Sequence, residues 1–188
     1  MNKNSKMVKT DLKIQNIVAT TSLNVKVPLQ KLVRSNADTE YSPEQFPGLV
    51  LRIKKPKSAV LVFSSGNLVC TGTKSTVQVN EVIAQVIKQL RKIGIKVKDK
   101  PKITVQNIVA SGSVDLKMDL NMLSLELENR EYEPEQFPGL VYKLEQPNAT
   151  FLLFSNGKLV CTGTKNRDQL NEAMKQLTKN IKALGKKK

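Results

Sequence analysis

The chain contains an internal duplication. Residues 14–97 align with residues 105–188 at a constant offset of 91 and without a gap, and 38 of the 84 aligned positions are identical. Two copies are too few for a solenoid, which needs about three or more stacked units to bury its apolar faces. The duplication therefore predicts two pseudo-twofold halves that share one sheet or one core.

Both halves have the same α+β pattern of apolar residues. The spacing predicts a strand, a short helix, four strands and a long helix in each half, and hence ten strands in all. The strands of the first half are expected near residues 13–19, 37–41, 48–54, 58–63 and 68–71. Pro28 is expected in the first turn of the short helix. The long helices are predicted from apolar stripes that begin at Val79 and Leu170 and stop before Gly94 and Gly185.

The repeat boundaries also predict the domain organisation. The two repeats are expected at 12–97 and 102–185, joined by a linker at 98–101. A mobile N-terminal tail is expected at 1–11, and a basic tail at 186–188. Charge differs between the halves, because residues 1–100 carry a net charge of +12 and residues 101–188 a net charge of +3.

Composition excludes several classes of protein. The 188 residues include 31 Lys and Arg against 16 Asp and Glu, no His and two Cys. Histidine-based catalysis and zinc sites with histidine ligands are therefore excluded, and we expect no metal, no cofactor and no enzymatic activity. No run of apolar residues predicts a membrane span or a signal peptide, so a cytoplasmic location is expected. A net charge of +15 favours a polyanionic partner, such as a nucleic acid or an acidic membrane surface.

Two equivalent strands are apolar on both faces. Residues 59–63 and 150–154 do not alternate, whereas a sheet covered by helices on one side normally does. The two helical stripes suffice to cover about one face. The second face is either covered by a further layer or a dimer partner, or it is a binding surface. Given the basic charge, a binding surface of this kind fits the minor groove of a nucleic acid, with flanking cations on the phosphates.

Three duplicated motifs identify a family. They are Gln-Asn-Ile-Val at 15–18 and 106–109, Phe-Pro-Gly-Leu-Val at 46–50 and 137–141, and Leu-Val-Cys-Thr-Gly-Thr-Lys at 68–74 and 159–165. With these motifs the chain resembles the conserved core of the TATA-box-binding protein family, in its archaeal form, from about residue 12 to 184. The resemblance implies a saddle made of one curved ten-stranded antiparallel sheet, with two long helices on the convex face.

The resemblance also implies a function and partners. A member of this family is a general transcription factor that binds the minor groove of TATA-box promoter DNA and bends it. It then recruits transcription factor B and, indirectly, RNA polymerase. The partner is AT-rich double-stranded DNA, the location is the nucleoid, and no membrane is involved. Whether the DNA-free protein forms a homodimer is left open.

Site residues follow from the matched motif positions. The resemblance implies that four rings wedge between base steps, namely Phe46, Phe63, Phe137 and Phe154, whereas the fifth, Phe151, belongs to the core. The minor-groove contacts implied are Asn16, Asn107, Val18, Val109, Thr71, Thr162, Leu61, Leu152, Val69 and Val160. The phosphate contacts implied are Arg52, Lys143, Lys74, Lys165, Ser65 and Lys158. At two of these positions the repeats differ, because the alignment of the repeats pairs Lys158 with Asn67 and Ser65 with Asn156.

The turn before Phe137 is acidic, whereas its copy is less so. Glu133 stands where the first repeat has Ser42, and Glu135 corresponds to Glu44. In the family this turn binds transcription factor B, so Glu133, Glu135 and Gln136 are implied as the contact residues. The two cysteines, which occupy equivalent positions, are expected to be small core residues on the helix side.

Two other functions are considered. A sequence-tolerant single-stranded nucleic-acid-binding protein could use aromatic rings on the sheet face as stacking platforms. The phenylalanines, however, lie next to turns and not along the strand centres. An enzyme would need a nucleophile and a base, or a pair of carboxylates, near the apolar face, and the sequence offers neither.

Overall fold

The computed structural model describes residues 11–97, 100–114 and 117–184. The basic tail, Gly185, most of the N-terminal tail and residues 98–99 of the linker lie outside the described residues. Packing divides the chain into two units. The N-terminal unit spans residues 15–107, and the C-terminal unit consists, among the described residues, of 11–14 and 108–184.

The elements follow the predicted order. The first repeat contains β1 (Lys13–Ser22), α1 (Leu29–Ser35), β2 (Thr39–Glu40), β3 (Leu49–Ile53), β4 (Ser58–Val62), β5 (Asn67–Thr73) and α2 (Thr76–Lys92). The second contains β6 (Ile103–Ser113), α3 (Leu120–Glu126), β7 (Arg130–Glu131), β8 (Leu140–Leu144), β9 (Ala149–Leu153), β10 (Lys158–Thr164) and α4 (Arg167–Leu184). The strands form one ten-stranded antiparallel sheet in the order β2-β3-β4-β5-β1-β6-β10-β9-β8-β7. The predicted α+β class and strand number are confirmed.

In the N-terminal unit, alternate strand residues are buried beneath α2. Leu49 and Leu51 of β3 are buried, as is Val60 of β4. The helix contributes an apolar stripe that consists of Val79, Val82, Ile83, Val86, Ile87 and Leu90. Each aliphatic side chain buried in this way contributes about 1.5–3 kcal/mol. The stripe covers one face of the sheet, and residues of the opposite parity stay half-exposed.

The ends of α2 are defined by side chains and by one glycine. Ser75 Oγ accepts a hydrogen bond from the Gln78 N–H at 3.2 Å and caps the first turn. Gly94 adopts a left-handed conformation with φ of 87°. Its N–H donates to Arg91 O at 2.9 Å, and the Ile95 N–H donates to Leu90 O at 3.0 Å. This pair of bonds is a Schellman motif, and the predicted helix end is confirmed.

The C-terminal unit repeats this packing around α4. Phe151 of β9 is fully buried, which confirms its predicted core role. Leu170, Met174 and Leu177 of α4 are buried. Tyr142 differs from its counterpart Leu51, and its buried hydroxyl oxygen accepts a hydrogen bond from Asn180 Nδ2 at 2.7 Å.

Both cysteines are buried free thiols, as predicted. Burial raises the pKa of Cys70 to about 11, against a smaller lowering by the hydroxyl of Thr73. Burial raises the pKa of Cys161 to about 12. A thiol needs to lose its proton to react, so both groups are small core side chains without reactivity at neutral pH.

Some predicted boundaries were wrong. The strand expected at 37–41 is only two residues long, because the chain turns immediately after Tyr41. The N–H groups of Gln45 and Phe46 both donate to Ser42 O at 3.0 Å. Pro28 precedes α1 as its N-cap residue and does not lie in the first turn. Among the described helices, none combines the length and the apolar character needed to cross a membrane.

Candidate nucleic-acid interface

The sheet face opposite α2 in the N-terminal unit presents half-exposed side chains in cross-strand rows. In one row Arg52 lies opposite Ala59, and Ala59 opposite Thr71. A second row consists of Val50, Leu61, Val69 and Thr20. We call this surface the open face. The charged residues of these rows lie at the margin, namely Arg52 and, opposite Val50, Glu40, so the surface between them and β1 suits sugars and base edges better than phosphates.

Hydrogen bonds fix the orientation of the Asn16 amide on the open face. Its Oδ1 accepts from the Gly72 N–H at 2.7 Å, and its Nδ2 lies 3.1 Å from Thr71 Oγ1, to which it donates. A backbone N–H can only donate, so Oδ1 is identified as the atom that faces Gly72. The NH₂ group carries two hydrogens, and one remains for a ligand after the bond to Thr71. Asn16 therefore presents a donor, as the prediction requires.

Two pairs of phenylalanines lie at equivalent positions of the two units. The ring centroids of Phe46 and Phe63 are 5.9 Å apart with planes at 66°. The rings of Phe137 and Phe154 are also 5.9 Å apart, with planes at 68°. Phe46 and Phe137 are each 41% exposed. Edge-to-face contact holds each ring while leaving apolar surface in solvent, an arrangement suited to a preformed wedge.

The C-terminal unit has an equivalent open face, and its half-exposed side chains form the same cross-strand rows. Val141 lies opposite Leu152, Leu152 opposite Val160, and Val160 opposite Ser111. A further row places Lys143 beside Thr150 and Thr150 beside Thr162. The remaining predicted minor-groove residues are also half-exposed, namely Val18, Asn107 and Val109.

Arg52 and Lys143, which are predicted phosphate contacts, are each bound to a carboxylate in the structure. Arg52 Nε donates to Glu40 Oε1 at 2.7 Å and Arg52 Nη2 to Glu40 Oε2 at 3.3 Å. Lys143 Nζ lies 2.6 Å from Glu131 Oε1. The hydrogen bond from Arg52, and then its charge, lower the pKa of Glu40 from its ordinary value. Sequence reasoning missed both carboxylates. Their signal was the identity of Glu40 and Glu131 in the repeat alignment.

The other predicted phosphate contacts are exposed and lie in or beside turns. The N–H of Lys74 donates to Gln78 Oε1 at 2.8 Å, and that of Lys165 to Gln169 Oε1 at 2.9 Å. These hydrogen bonds fix the backbone of both lysines, whereas their ammonium groups extend into solvent.

The two departures from the repeat in this set have a local structural reason. Ser65 Oγ accepts the Asn67 N–H at 3.4 Å, and Asn156 Oδ1 accepts the Lys158 N–H at 3.0 Å. Ser65 and Asn156 thus perform the same turn-stabilising task in the two hairpins.

The acidic turn has the same backbone as its counterpart in the first repeat. Glu133 O accepts the N–H groups of Gln136 at 3.0 Å and Phe137 at 2.9 Å, as Ser42 O does for its own turn. The side chains of Glu133, Glu135 and Gln136 are exposed. Within the described residues, His, Cys, Asp and Glu nowhere form a group of three or more that could hold a metal ion.

Comparison with known proteins gives the same family at three levels. The family model described as "Transcription factor TFIID (or TATA-binding protein, TBP)" matches residues 11–93 and again residues 102–184. The TATA-box-binding protein of Archaeoglobus fulgidus is 47% identical over 176 residues, which cover 93% of this chain and 96% of that protein. The protein of the same name from Picrophilus torridus is 48% identical over 176 residues, which cover 92% and 95%.

A solved structure agrees with these sequence relatives. The chain is similar to Methanococcus jannaschii TBP with a TM-score of 0.88 and 41% identity, over 92% of this chain and 99% of that one. The family model matches both repeats, and the archaeal relatives match nearly the whole length of the chain. The solved structure has the same fold. The chain belongs to the TATA-box-binding protein family.

Proposed function

We propose that this protein is a non-enzymatic general transcription factor that binds the minor groove of TATA-box promoter DNA. The observation that carries the proposal is the duplicated phenylalanine pair, because each pair keeps one ring 41% exposed beside a face poor in charge. An exposed ring that continues a face of half-exposed apolar side chains forms a contiguous apolar patch, and such patches commonly mark interaction sites. Insertion of apolar wedges between base steps is known from this family itself, and the phenylalanine pairs fit that role.

The Asn16 amide supports a preference for A·T over G·C pairs. The minor-groove edge of an A·T pair carries only the acceptors adenine N3 and thymine O2, which a donor can address. Guanine adds an amino group that would meet the Asn16 donor and the half-exposed side chains of Leu61 and Val69. Lys74 and Lys165 are exposed, and we expect them to contact phosphates. The complex is then expected to weaken as salt rises, because neutralised phosphates release counterions.

The test uses a duplex with a central TATAAA site, a GC-rich duplex of equal length, and energy transfer between dyes at the two ends. We expect tight binding and a large bend on the TATA duplex alone. Phe46→Ala and Phe137→Ala should each reduce the bend, whereas Val77→Ala, which removes apolar surface exposed on α2, should not. Equal affinity for both duplexes without bending would contradict the proposal, and equal affinity for single strands would favour a single-stranded nucleic-acid binder.

We also propose that the acidic turn recruits transcription factor B and, through it, RNA polymerase. Glu133 and Glu135 are both exposed, and the first repeat has serine at the position of Glu133. The turn thus differs between the two repeats, and this difference would give the promoter complex a direction. Glu133→Lys combined with Glu135→Lys should abolish the ternary complex and leave DNA bending intact. Glu135→Lys alone should already weaken the ternary complex, and Glu44→Lys, at the equivalent position of the first repeat, is its matched control because it changes the net charge equally.

The same open face is the surface through which a DNA-free homodimer would form. Such a dimer would sediment in a concentration-dependent manner, and TATA duplex would dissociate it. Sedimentation at the monomer mass across the concentration range would show that the free protein is a monomer.

A further inference from the structure

We propose that Glu40 and Glu131 compete with DNA phosphates for Arg52 and Lys143, the cations at the margin of the open face in each unit. This inference rests on the proposed function in that it takes a polyanion to be the ligand. It adds two residues that oppose binding, and it predicts that their removal strengthens the complex.

The first argument is the position of the carboxylates. Glu40 of β2 lies opposite Val50 of β3, so Arg52 is its diagonal neighbour on the same face. Long side chains span such a diagonal separation of about 7–8 Å. In the C-terminal unit Glu131 lies opposite Val141, and Lys143 is its diagonal neighbour. The two-residue strands β2 and β7 therefore place a carboxylate against the cation at the same site of both units.

The second argument is that the pairing recurs although the cation differs. Arginine binds the carboxylate through two nitrogen atoms in one unit, and lysine through one in the other. A second pair in the N-terminal unit, Lys54 and Asp38 at 3.0 Å, has no such copy, because its counterparts are Glu145 and Asn129. The recurrence singles out Glu40 and Glu131.

The third argument is the side of the guanidinium that stays accessible. Glu40 accepts one N–H from Nε and one from Nη2 of Arg52, which leaves both N–H groups of Nη1 and the second N–H of Nη2 for a ligand. Arg52 also lines an open cavity of about 660 Å³ that includes Asn16 and Thr71. A phosphate that approaches Arg52 from this cavity meets a cation whose charge Glu40 already neutralises. The phosphate must displace the carboxylate or bind with a like charge nearby.

The fourth argument is that breaking either ion pair costs the protein little folding stability. Both partners of each pair are exposed, with side-chain exposures of 61% and 62% for Arg52 and Glu40. Exposed ion pairs contribute little to stability, so their loss should not unfold the protein. Their effect on an anionic ligand is direct, because each free cation can release counterions from one more phosphate.

The experiment compares Glu40→Gln, Glu131→Gln and the double variant with wild type by fluorescence anisotropy, on the TATA and GC-rich duplexes, across a salt series. Glu81→Gln is the matched control, because it changes the net charge equally from an exposed position on α2. Thermal unfolding shows that each variant is folded. We expect each of the first two variants to bind about 3- to 10-fold more tightly at low salt, with a salt dependence steeper by up to about one unit of slope.

Two results would overturn the inference. One is an affinity that rises no more than in Glu81→Gln, and the other is an affinity that falls, which would mean that the carboxylates orient the cations for DNA. The wild-type arm tests the proposed function separately. A wild-type protein without preference for the TATA duplex would contradict that function, while the ratio of variant to wild-type affinity on either duplex would still decide the role of the carboxylates.

Discussion

The ring of Phe46 lies directly over Gly48. A Cβ atom built on Gly48 would stand 2.5 Å from Phe46 Cε1, closer than real Cβ atoms approach, and 3.0 Å from Cε1 of Phe63, which is a tight contact. Gly139 has the same relation to Phe137, at 2.6 Å. The glycine of the Phe-Pro-Gly motif therefore leaves the space in which each phenylalanine pair assumes its edge-to-face geometry.

Gly48→Ala should displace the Phe46 ring and reduce the DNA bend without unfolding the protein. Phe46 is exposed and can swing into solvent, so we expect a change of less than about 1 kcal/mol in unfolding free energy. The end-to-end energy transfer on the TATA duplex should fall, as in Phe46→Ala. Gly139→Ala should displace the Phe137 ring and reduce the bend in the same way. A full bend in both glycine variants would show that the ring geometry of the free protein is irrelevant to bending.

Asn16→Asp should weaken TATA binding more than Thr71→Val does. The aspartate keeps an acceptor for the Gly72 N–H, but it loses the NH₂ donor and adds a negative charge near DNA. We expect a loss of about 10- to 100-fold, since one good contact to a base edge contributes about 1–3 kcal/mol. Thr71→Val removes only one of the two groups that orient the amide, so its loss should be smaller. The opposite ranking in equilibrium titrations would contradict the assigned orientation.

Repetition explains why so much of the fold could be predicted. A strand such as β4 follows from a short apolar run between turns, and its copy at 149–153 supports the same interpretation independently. The weakest predictions concern short elements. β2 is two residues long, and it exists because β3 pairs with it, which no local pattern near residue 39 indicates.

Site residues were predictable to the extent that they belong to duplicated motifs. The phenylalanine positions could be named from sequence, whereas their edge-to-face contact could not, since it depends on where the turn returns the chain to the end of β4. Glu40 was missed for a similar reason. Its partner Arg52 is 12 residues away, and only the antiparallel pairing of β2 and β3 brings the two together.

Cys70 and Cys161 should resist thiol reagents until the protein unfolds. Their pKa values of about 11 and 12 leave almost no thiolate at pH 8. We expect no labelling by a chromogenic disulfide in native buffer and two labelled thiols in urea. Rapid labelling of the native protein would contradict the buried, protonated state.

The same shifts predict a loss of stability at alkaline pH. The native pKa is raised, so the folded state binds the thiol protons more tightly than the unfolded chain does. This contribution is complete below the unfolded pKa of about 8.5 and disappears as pH rises towards 11–12. The urea concentration at the unfolding midpoint should therefore decrease as the pH is raised from 8 to 10.5. It should fall less in Cys70→Ala combined with Cys161→Ala, because the remaining decrease then comes from other groups.

Thr164→Val should stabilise the protein. Thr164 is fully buried, and its hydroxyl oxygen has no hydrogen-bond partner among the described residues. A buried polar group without a partner loses its hydration and gains nothing in return, so an isosteric valine should raise the unfolding free energy by about 1 kcal/mol. For a chain of this size, that corresponds to about 2–4 °C in Tm.

Thr21→Val is the matched control, because that threonine is also buried in a strand but its hydroxyl donates to Lys102 O at 2.8 Å. Its loss should lower the unfolding free energy by about 0.5–1.5 kcal/mol. The two identical substitutions should therefore shift Tm in opposite directions in the same calorimetric experiment. A decrease in both would show that the Thr164 hydroxyl has a partner in solution, with water as the obvious candidate. The sign of the Thr164 shift thus decides whether this position is a defect of the core or a hydration site.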